Sequence, residues 1–180
     1  IDGLEDGDSV DLGDRTFDVV GAPGHAPHQV MFHDDGVGGE RGDGGDGDGG
    51  ADLLFTGDAA GIYVPRAGEI TQSTPPSQFD LDQCLADVTT IQDLAPDRLC
   101  FGHFGDRAYS RASMDGYKRT LVEWVEAIRQ VRERAADDEE VVKHFVENAR
   151  LHGAWEAGRA EAEARLNVRG VLGYLDYRGD

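Results

Sequence analysis

The sequence has 180 residues, of which 36 are Asp or Glu and 17 are Lys or Arg, so the formal net charge is −19 at pH 7. This length favours one domain with a sizeable core, or one small domain with a helical appendage. The acidic balance argues against binding to the nucleic-acid backbone, and no apolar run approaches the roughly 20 residues that span a bilayer, so we expect neither a nucleic-acid nor a membrane partner.

The basic residues of the chain are almost all arginine. Lys118 and Lys143 are the only lysines among the 17 basic residues. Self-repulsion among so many uncompensated carboxylates opposes a compact state in dilute buffer, and salt screens it. We interpret the composition as halophilic, adapted to a cytoplasm of molar salt; an ordinary acidic protein is the alternative. Cys84 and Cys100 lie in apolar patterns and are expected to be buried thiols of a reducing compartment, which also favours a cytoplasmic location.

The first predicted strands lead to a turn that carries a histidine. Turn signals at 6–8 and 12–14 are typical of hairpin or meander connections, and the run TFDVV over 16–20 predicts an extended strand. The sequence GAPGH follows and ends at His25. A strand followed by a glycine turn is a common way of placing a metal ligand at the edge of a sheet. A further strand is predicted over 30–33.

The segment 34–52 consists mostly of Gly and Asp, with hardly an apolar side chain. It cannot bury enough surface to offset the entropy lost on ordering, so we predict a solvated loop between two strands. A calcium loop is the alternative, because Asp43, Asp46 and Asp48 are close together, but no bidentate glutamate lies at the required distance.

Two later segments repeat the pattern of a strand, a glycine and a metal-competent side chain. The first is LLFTGD, which ends at Asp58, and the second is LCFGH, which ends at His103. The stretch after Asp58 is irregular and rich in turn residues. Because it begins at a candidate metal ligand, its side chains would overhang the site, and Tyr63 is the best candidate for contact with a substrate. Packing of the Tyr63 ring against the sheet is the alternative. An amphipathic helix is predicted over 80–94 and is ended by Pro96.

The remainder of the chain has the periodicity of helices. Apolar residues recur at helical spacing over 121–131, 141–146 and 154–166, and Arg and Glu fill the other faces. We therefore divide the chain into a strand-containing part, 1–108, and a helical extension, 109–180.

The three units, His25 then Asp58 then His103, resemble the last three metal-binding motifs of the metallo-β-lactamase superfamily, a broad group of di-metal hydrolases. Three motifs in order are more specific than any one of them alone. The resemblance implies an α/β fold: half of an αββα sandwich, with a mixed β-sheet and flanking helices. It also implies that the α-helical tail is similar to the helical extensions that many members carry.

The resemblance further implies a ligand set. In the family the first of these motifs gives a histidine to one metal site, the aspartate bridges two cations, and the last histidine closes the second site; carried over, these are His25, Asp58 and His103. Zinc is the expected metal, with manganese or iron as alternatives. Asp58 is the expected catalytic carboxylate, because a bridging carboxylate holds two cations roughly 3.5–4 Å apart around a water of lowered pKa. His28 is similar to a family histidine that does not bind metal in most members, so we expect it to orient its neighbours by hydrogen bonds.

One motif of the family is missing from the chain. The motif H-x-H-x-D-H supplies the other donors of both sites, but residues 1–24 contain no histidine. Each cation then has two protein donors, whereas catalytic zinc normally has three and a water. We expect a chain that resembles the C-terminal half of the fold, binds metal weakly and acts poorly alone.

Two functions follow as hypotheses. The first is a metal-dependent hydrolase in which water or hydroxide attacks a small-molecule thioester, lactone or phosphoester, completed by an N-terminal half or by a homo-oligomer. The second is a non-catalytic remnant, or the association half of a split metallo-hydrolase. A nuclease of the same superfamily is disfavoured, because those members carry a large insertion between the last two motifs, which are close in sequence here.

Overall fold

The computed structural model of the chain describes residues 3–13, 15–36, 50–147, 149 and 157–179. Within these ranges, eight strands and one helix come first and three further helices follow. The strands are β1 (Ser9–Asp11), β2 (Thr16–Gly21), β3 (Val30–Asp34), β4 (Leu53–Gly57), β5 (Ile62–Val64), β6 (Glu69–Thr71), β7 (Arg98–Phe101) and β8 (Asp106–Ala108). The helices are α1 (Leu81–Leu94), α2 (Arg111–Arg132), α3 (Asp138–Glu147) and α4 (Ala157–Arg178).

Six of these strands form one mixed sheet in the order β1-β2-β3-β4-β7-β8. Neighbouring strands are antiparallel except β4 and β7, which are parallel. A parallel pair needs a long crossover connection, and α1 supplies it. The other two strands, β5 and β6, pair as a separate hairpin within the stretch for which the sequence predicts irregular structure. The mixed sheet with flanking helices confirms the predicted fold class.

The apolar core lies between one face of the sheet and the helices. Met31, Leu54 and Leu99 are fully buried on this face, and Leu54 lies opposite Leu99 in the β4–β7 pair. Helix α2 contributes buried side chains every three or four residues, which is the pattern of an amphipathic helix. These side chains are Met114, Tyr117, Leu121, Val125 and Ile128.

The same core continues into the last two helices. Helix α3 adds Val141, and α4 adds Val168 and Leu175, all of them fully buried. The predicted boundary between 1–108 and 109–180 falls between β8 and α2, and apolar packing crosses it without a break. The helical extension therefore covers the sheet rather than standing apart from it.

The opposite face of the sheet is also apolar. Val19, Phe32 and Phe55 lie side by side across β2, β3 and β4. The ring of Phe17 packs against that of Phe55, with 5.6 Å between the ring centroids, and Phe55 is still 38% exposed. We call the surface formed by these four residues the second face.

Some sequence predictions differ from the structure in extent. Helix α4 ends at Arg178, beyond the end at 166 that the periodicity predicts, and β8 has no predicted counterpart. Most of the predicted loop 34–52, with the three aspartates of the calcium-loop alternative, lies outside the described residues. None of the helices in the described ranges is both long and apolar enough to cross a membrane.

Both cysteines are free thiols. Cys84 is buried in α1, and burial raises the pKa of its thiol far above the ordinary value. Cys100 is half-buried in β7, where burial also raises the thiol pKa. Cys84 is therefore the buried thiol that the sequence predicts, whereas Cys100 is less buried than predicted.

Candidate metal centre

The turn that carries His25 is held against the first helix. The backbone N–H of Gly24 donates to a carboxylate oxygen of Asp87 (2.8 Å), and the carbonyl of Gly24 accepts from the N–H of Asp80 (2.9 Å). A Cβ at Gly24 would lie 2.3 Å from the backbone nitrogen of Cys84. Only glycine lets the turn approach α1 this closely, and this contact fixes the position of the histidine that follows.

The turns that carry Asp58 and His103 lie side by side at the ends of parallel strands. Gly57 has φ +52, a conformation that favours glycine, and its carbonyl accepts from the N–H of Gly102 (3.0 Å). A Cβ at Gly102 would come within 3.3 Å of that carbonyl. Because β4 and β7 are parallel, their carboxyl ends meet at one edge of the sheet and bring the two ligand candidates together.

The structure brings His25, Asp58 and His103 to one point. The Nε2 atom of His25 is 3.5 Å from Oδ2 of Asp58, and the Nε2 atom of His103 is 3.6 Å from Oδ1. Both separations exceed the usual range of a hydrogen bond. They are close to the separation of roughly 3.4 Å expected between two donor atoms that bind the same tetrahedral cation, each at about 2.1 Å from it. Each histidine therefore faces a different oxygen of the same carboxylate.

The donor atoms fit a cation by two further criteria. Oδ1 of Asp58 is buried and has no hydrogen-bond partner among the described residues, a situation that costs free energy unless a cation or water satisfies the atom. Nδ1 of His25 is 3.3 Å from the carbonyl oxygen of Ser73. When Nδ1–H donates to that carbonyl, the lone pair of Nε2 is directed toward Asp58, which is the tautomer that a metal requires.

The candidate donor atoms form two pairs. Across the described ranges, no group of three or more His, Cys, Asp or Glu side chains is placed to hold a single metal ion. His25 and one oxygen of Asp58 would give one cation two donors, and His103 and the other oxygen would give a second cation two donors. A catalytic zinc site has three protein ligands.

The other candidate residues have surroundings of a different kind. His28 is exposed on the turn, and no hydrogen bond joins its ring to the part of the chain that the structure describes. The ring of Tyr63 stacks on Phe101 at 5.4 Å between centroids, and the guanidinium of Arg107 lies 5.4 Å from the Tyr63 centroid. The ring of Tyr63 therefore packs against β7 of the sheet, which is the alternative to substrate contact.

The structure adds positioning groups that the sequence did not indicate. The Ser73 carbonyl faces His25, and the side-chain amide of Gln29 donates to the carbonyl of Thr56 (3.2 Å), beside the Asp58 turn. Tyr117 is buried beside the Ser73 backbone, and burial raises the pKa of its hydroxyl. A carbonyl is common to every residue, so no local sequence signal marks Ser73 for this role.

We predict that Asp87 makes stability depend on pH. Burial raises the pKa of this carboxyl group from 3.8 to about 6. Between those values the folded chain keeps a proton that the unfolded chain has lost, so the free energy of unfolding falls as pH rises, and above about 6 the loss is complete.

The variant Asp87→Asn cannot titrate at this position, so its stability relative to the parent should rise between pH 4 and 6. Urea unfolding at fixed salt measures this difference, with Asp93→Asn, an exposed position on the same helix, as the control that should show no such trend.

The chain matches no family model and no curated protein. Its fold matches solved structures at low sequence identity. A metallo-β-lactamase family protein from Thermus thermophilus is 19% identical with a TM-score of 0.65, and the match covers 98% of this chain and 49% of that one. A β-lactamase domain protein from Burkholderia ambifaria is 21% identical with a TM-score of 0.59, covering 98% of this chain and 46% of that one.

An archaeal metallo-β-lactamase superfamily protein from Sulfolobus tokodaii is 20% identical with a TM-score of 0.53, covering 94% of this chain and 50% of that one. The chain thus spans about half the length of each of these structures. Its architecture is half of the metallo-β-lactamase fold followed by a helical tail, as the motifs predicted.

Proposed function

We propose that the chain is half of a di-metal hydrolase that uses two divalent cations. In this proposal His25 binds one cation, His103 binds the other, and Asp58 binds both. One observation carries this proposal: the two oxygens of one carboxylate each face a different imidazole nitrogen, at 3.5 and 3.6 Å. A structural ion pair needs neither the second histidine nor a separation beyond hydrogen-bond range.

The site residues have separate tasks in this proposal. Asp58 would hold the two cations through its two carboxylate oxygens, and the Ser73 carbonyl orients His25 through Nδ1. When bound, two cations supply a water of lowered pKa and polarise the carbonyl or phosphoryl oxygen of the substrate. The side chain of His103 is 39% exposed whereas that of His25 is 14% exposed, so the His103 side is open to a substrate. Small-molecule thioesters, lactones and phosphoesters are the substrate classes, and zinc is the preferred metal, ahead of manganese and iron.

The missing donors would come from a segment that covers the second face. Phe17, Phe32 and Phe55 give that face an apolar surface with an exposed ring at its centre, and apolar patches of this kind favour association. The solved structures of the same fold are about twice as long as the matched region. An N-terminal half with H-x-H-x-D-H is the proposed occupant. A second copy of the chain, or a remnant that binds without catalysis, is the alternative.

We predict that restoring this half creates tight metal binding and hydrolysis. The 180-residue chain is co-expressed with an N-terminal segment designed to carry H-x-H-x-D-H. Zinc, manganese and iron are measured per chain, and thioester, lactone and phosphodiester substrates are assayed. We expect weak metal binding by the chain alone and two metals per complex, because each cation then gains donors from the added motif.

A pair of matched variants tests where the segment binds. Phe55→Glu should abolish the complex, since it places a charge in the buried interface. Leu166→Glu alters a side chain of similar exposure, 43%, on α4, and should leave the complex intact. Stoichiometric metal and full hydrolysis by the chain alone would overturn the split-site proposal, and a complex with neither metal nor activity would favour the non-catalytic alternative.

A further inference from the structure

The segment 72–75 connects β6 to the residues before α1 and passes between the metal centre and the helices. We call it the strap. We infer that the helical extension positions His25 through this strap, with Asn167 and Tyr117 as the positioning residues. The tautomer of His25 is then set by helices that contribute no metal ligand of their own.

One side of the strap contacts the histidine. The carbonyl oxygen of Ser73 lies 3.3 Å from Nδ1 of His25. The backbone of the same residue lies beside the hydroxyl of Tyr117, and Tyr117 is only 2% exposed. The peptide groups that direct His25 therefore lie against helix α2.

The next residue of the strap is bound by α2 and α4 together. The N–H of Thr74 donates to Oδ1 of Asn167, and the hydroxyl of Thr74 donates to the main-chain carbonyl of the same asparagine (2.9 Å) and accepts from Nε1 of Trp124 (3.2 Å). The amide nitrogen of Asn167 donates in turn to the carbonyl of Glu163 (2.9 Å). Thr74 is completely buried and Asn167 is 8% exposed, so these bonds have no competing solvent.

The backbone of the strap also touches α4 directly. A Cβ at Gly170 would lie 1.9 Å from the carbonyl oxygen of Thr74 and 2.6 Å from the carbonyl carbon of Pro75. Glycine at this position lets the helix lie against the strap, which restricts the movement of Ser73.

These contacts have a consequence for metal binding. A histidine can bind a cation through Nε2 only while that nitrogen lacks a proton, and a fixed acceptor at Nδ1 favours that tautomer. If the strap is released, the Ser73 carbonyl no longer holds the Nδ1 proton and the imidazole can turn. The metal part of this inference rests on the proposed function, but the tautomer part does not.

Two variants and one control test the inference in the full chain without metal. Asn167→Ala removes the side chain that binds Thr74, and Tyr117→Phe removes one hydroxyl while keeping the ring. The ¹⁵N shifts of His25, identified by comparison with His25→Gln, are recorded for all variants at the same pH, near 8. Val171→Ala, a fully buried α4 position whose side chain makes no hydrogen bond, is the control for a general loss of stability.

The parent and Val171→Ala should show the Nδ1–H tautomer of His25, and both strap variants should show a mixture of the two tautomers. The affinity for zinc, titrated alone, should then fall about 10- to 100-fold in the strap variants. Unchanged His25 shifts in Tyr117→Phe, or the same change in Val171→Ala, would overturn the inference. Absence of zinc binding by the parent would count against the proposed function instead, because the tautomer measurement needs no metal.

Discussion

Asp58→Asn should abolish metal binding while making the metal-free chain more stable. An asparagine side chain has one oxygen and no charge, so it cannot serve two cations as a carboxylate does. We expect zinc affinity to fall by more than about 100-fold, which is more than the loss of a residue that only hydrogen-bonds a metal ligand would cause. Oδ1 of Asp58 is buried without a partner among the described residues, and such a group costs roughly 1–3 kcal/mol, so the free energy of unfolding should rise in the presence of a chelator.

The opposite signs of these two effects make the prediction specific. Calorimetric titration with zinc measures the first, and urea unfolding with and without chelator measures the second. Asp18→Asn removes one negative charge at an exposed position of β2, so it controls for the change in net charge. Wild-type zinc affinity in Asp58→Asn would show that the carboxylate is not a ligand. A fall in stability without metal would show that the buried oxygen is satisfied in solution.

The second large effect should come from salt. We expect the midpoint of thermal unfolding to rise by on the order of 10 °C between dilute buffer and molar potassium chloride. The net charge of −19 opposes the compact state, and molar salt shortens the Debye length to about 3 Å, which removes most of this repulsion. The described surface also has ion pairs, such as Arg132 with Asp138 (3.2 Å) and Arg178 with Asp82 (3.0 Å). Salt weakens these, but each exposed pair contributes only roughly 0–1 kcal/mol.

A non-ionic osmolyte separates screening from general stabilisation. Sucrose at equal osmolality strengthens burial by exclusion from the protein surface but does not screen charge. Potassium chloride should therefore raise the midpoint more than sucrose does. Equal midpoints in dilute buffer and in molar salt would refute the halophilic interpretation and favour an ordinary acidic protein.

The arrangement of the main strands and of the candidate ligands was accessible from local sequence. Each of His25, Asp58 and His103 follows an apolar run and a glycine, because a chain that ends a strand, turns sharply and presents a side chain needs that order of residues. The long helices were equally accessible, since an amphipathic stripe repeats within a few turns. The short strands β5, β6 and β8 were missed, because three residues are too few to establish an alternation.

The groups that position the site depended on tertiary contacts. Ser73 is 48 residues from His25, and Asn167 is 93 residues from Thr74, and the groups involved are a carbonyl and an amide with no characteristic pattern. Likewise, both faces of β4 carry apolar side chains, so no alternation of apolar and polar residues marks the core face. The sequence therefore could not indicate that Leu54 is buried under helices while Phe55 is exposed. The sequence by itself determined which side chains are candidates for metal binding, because that depends on local chemistry. Only the packing of α2 and α4 on the strap decided how His25 is oriented, because hydrogen bonds between distant segments exist only once the chain is folded.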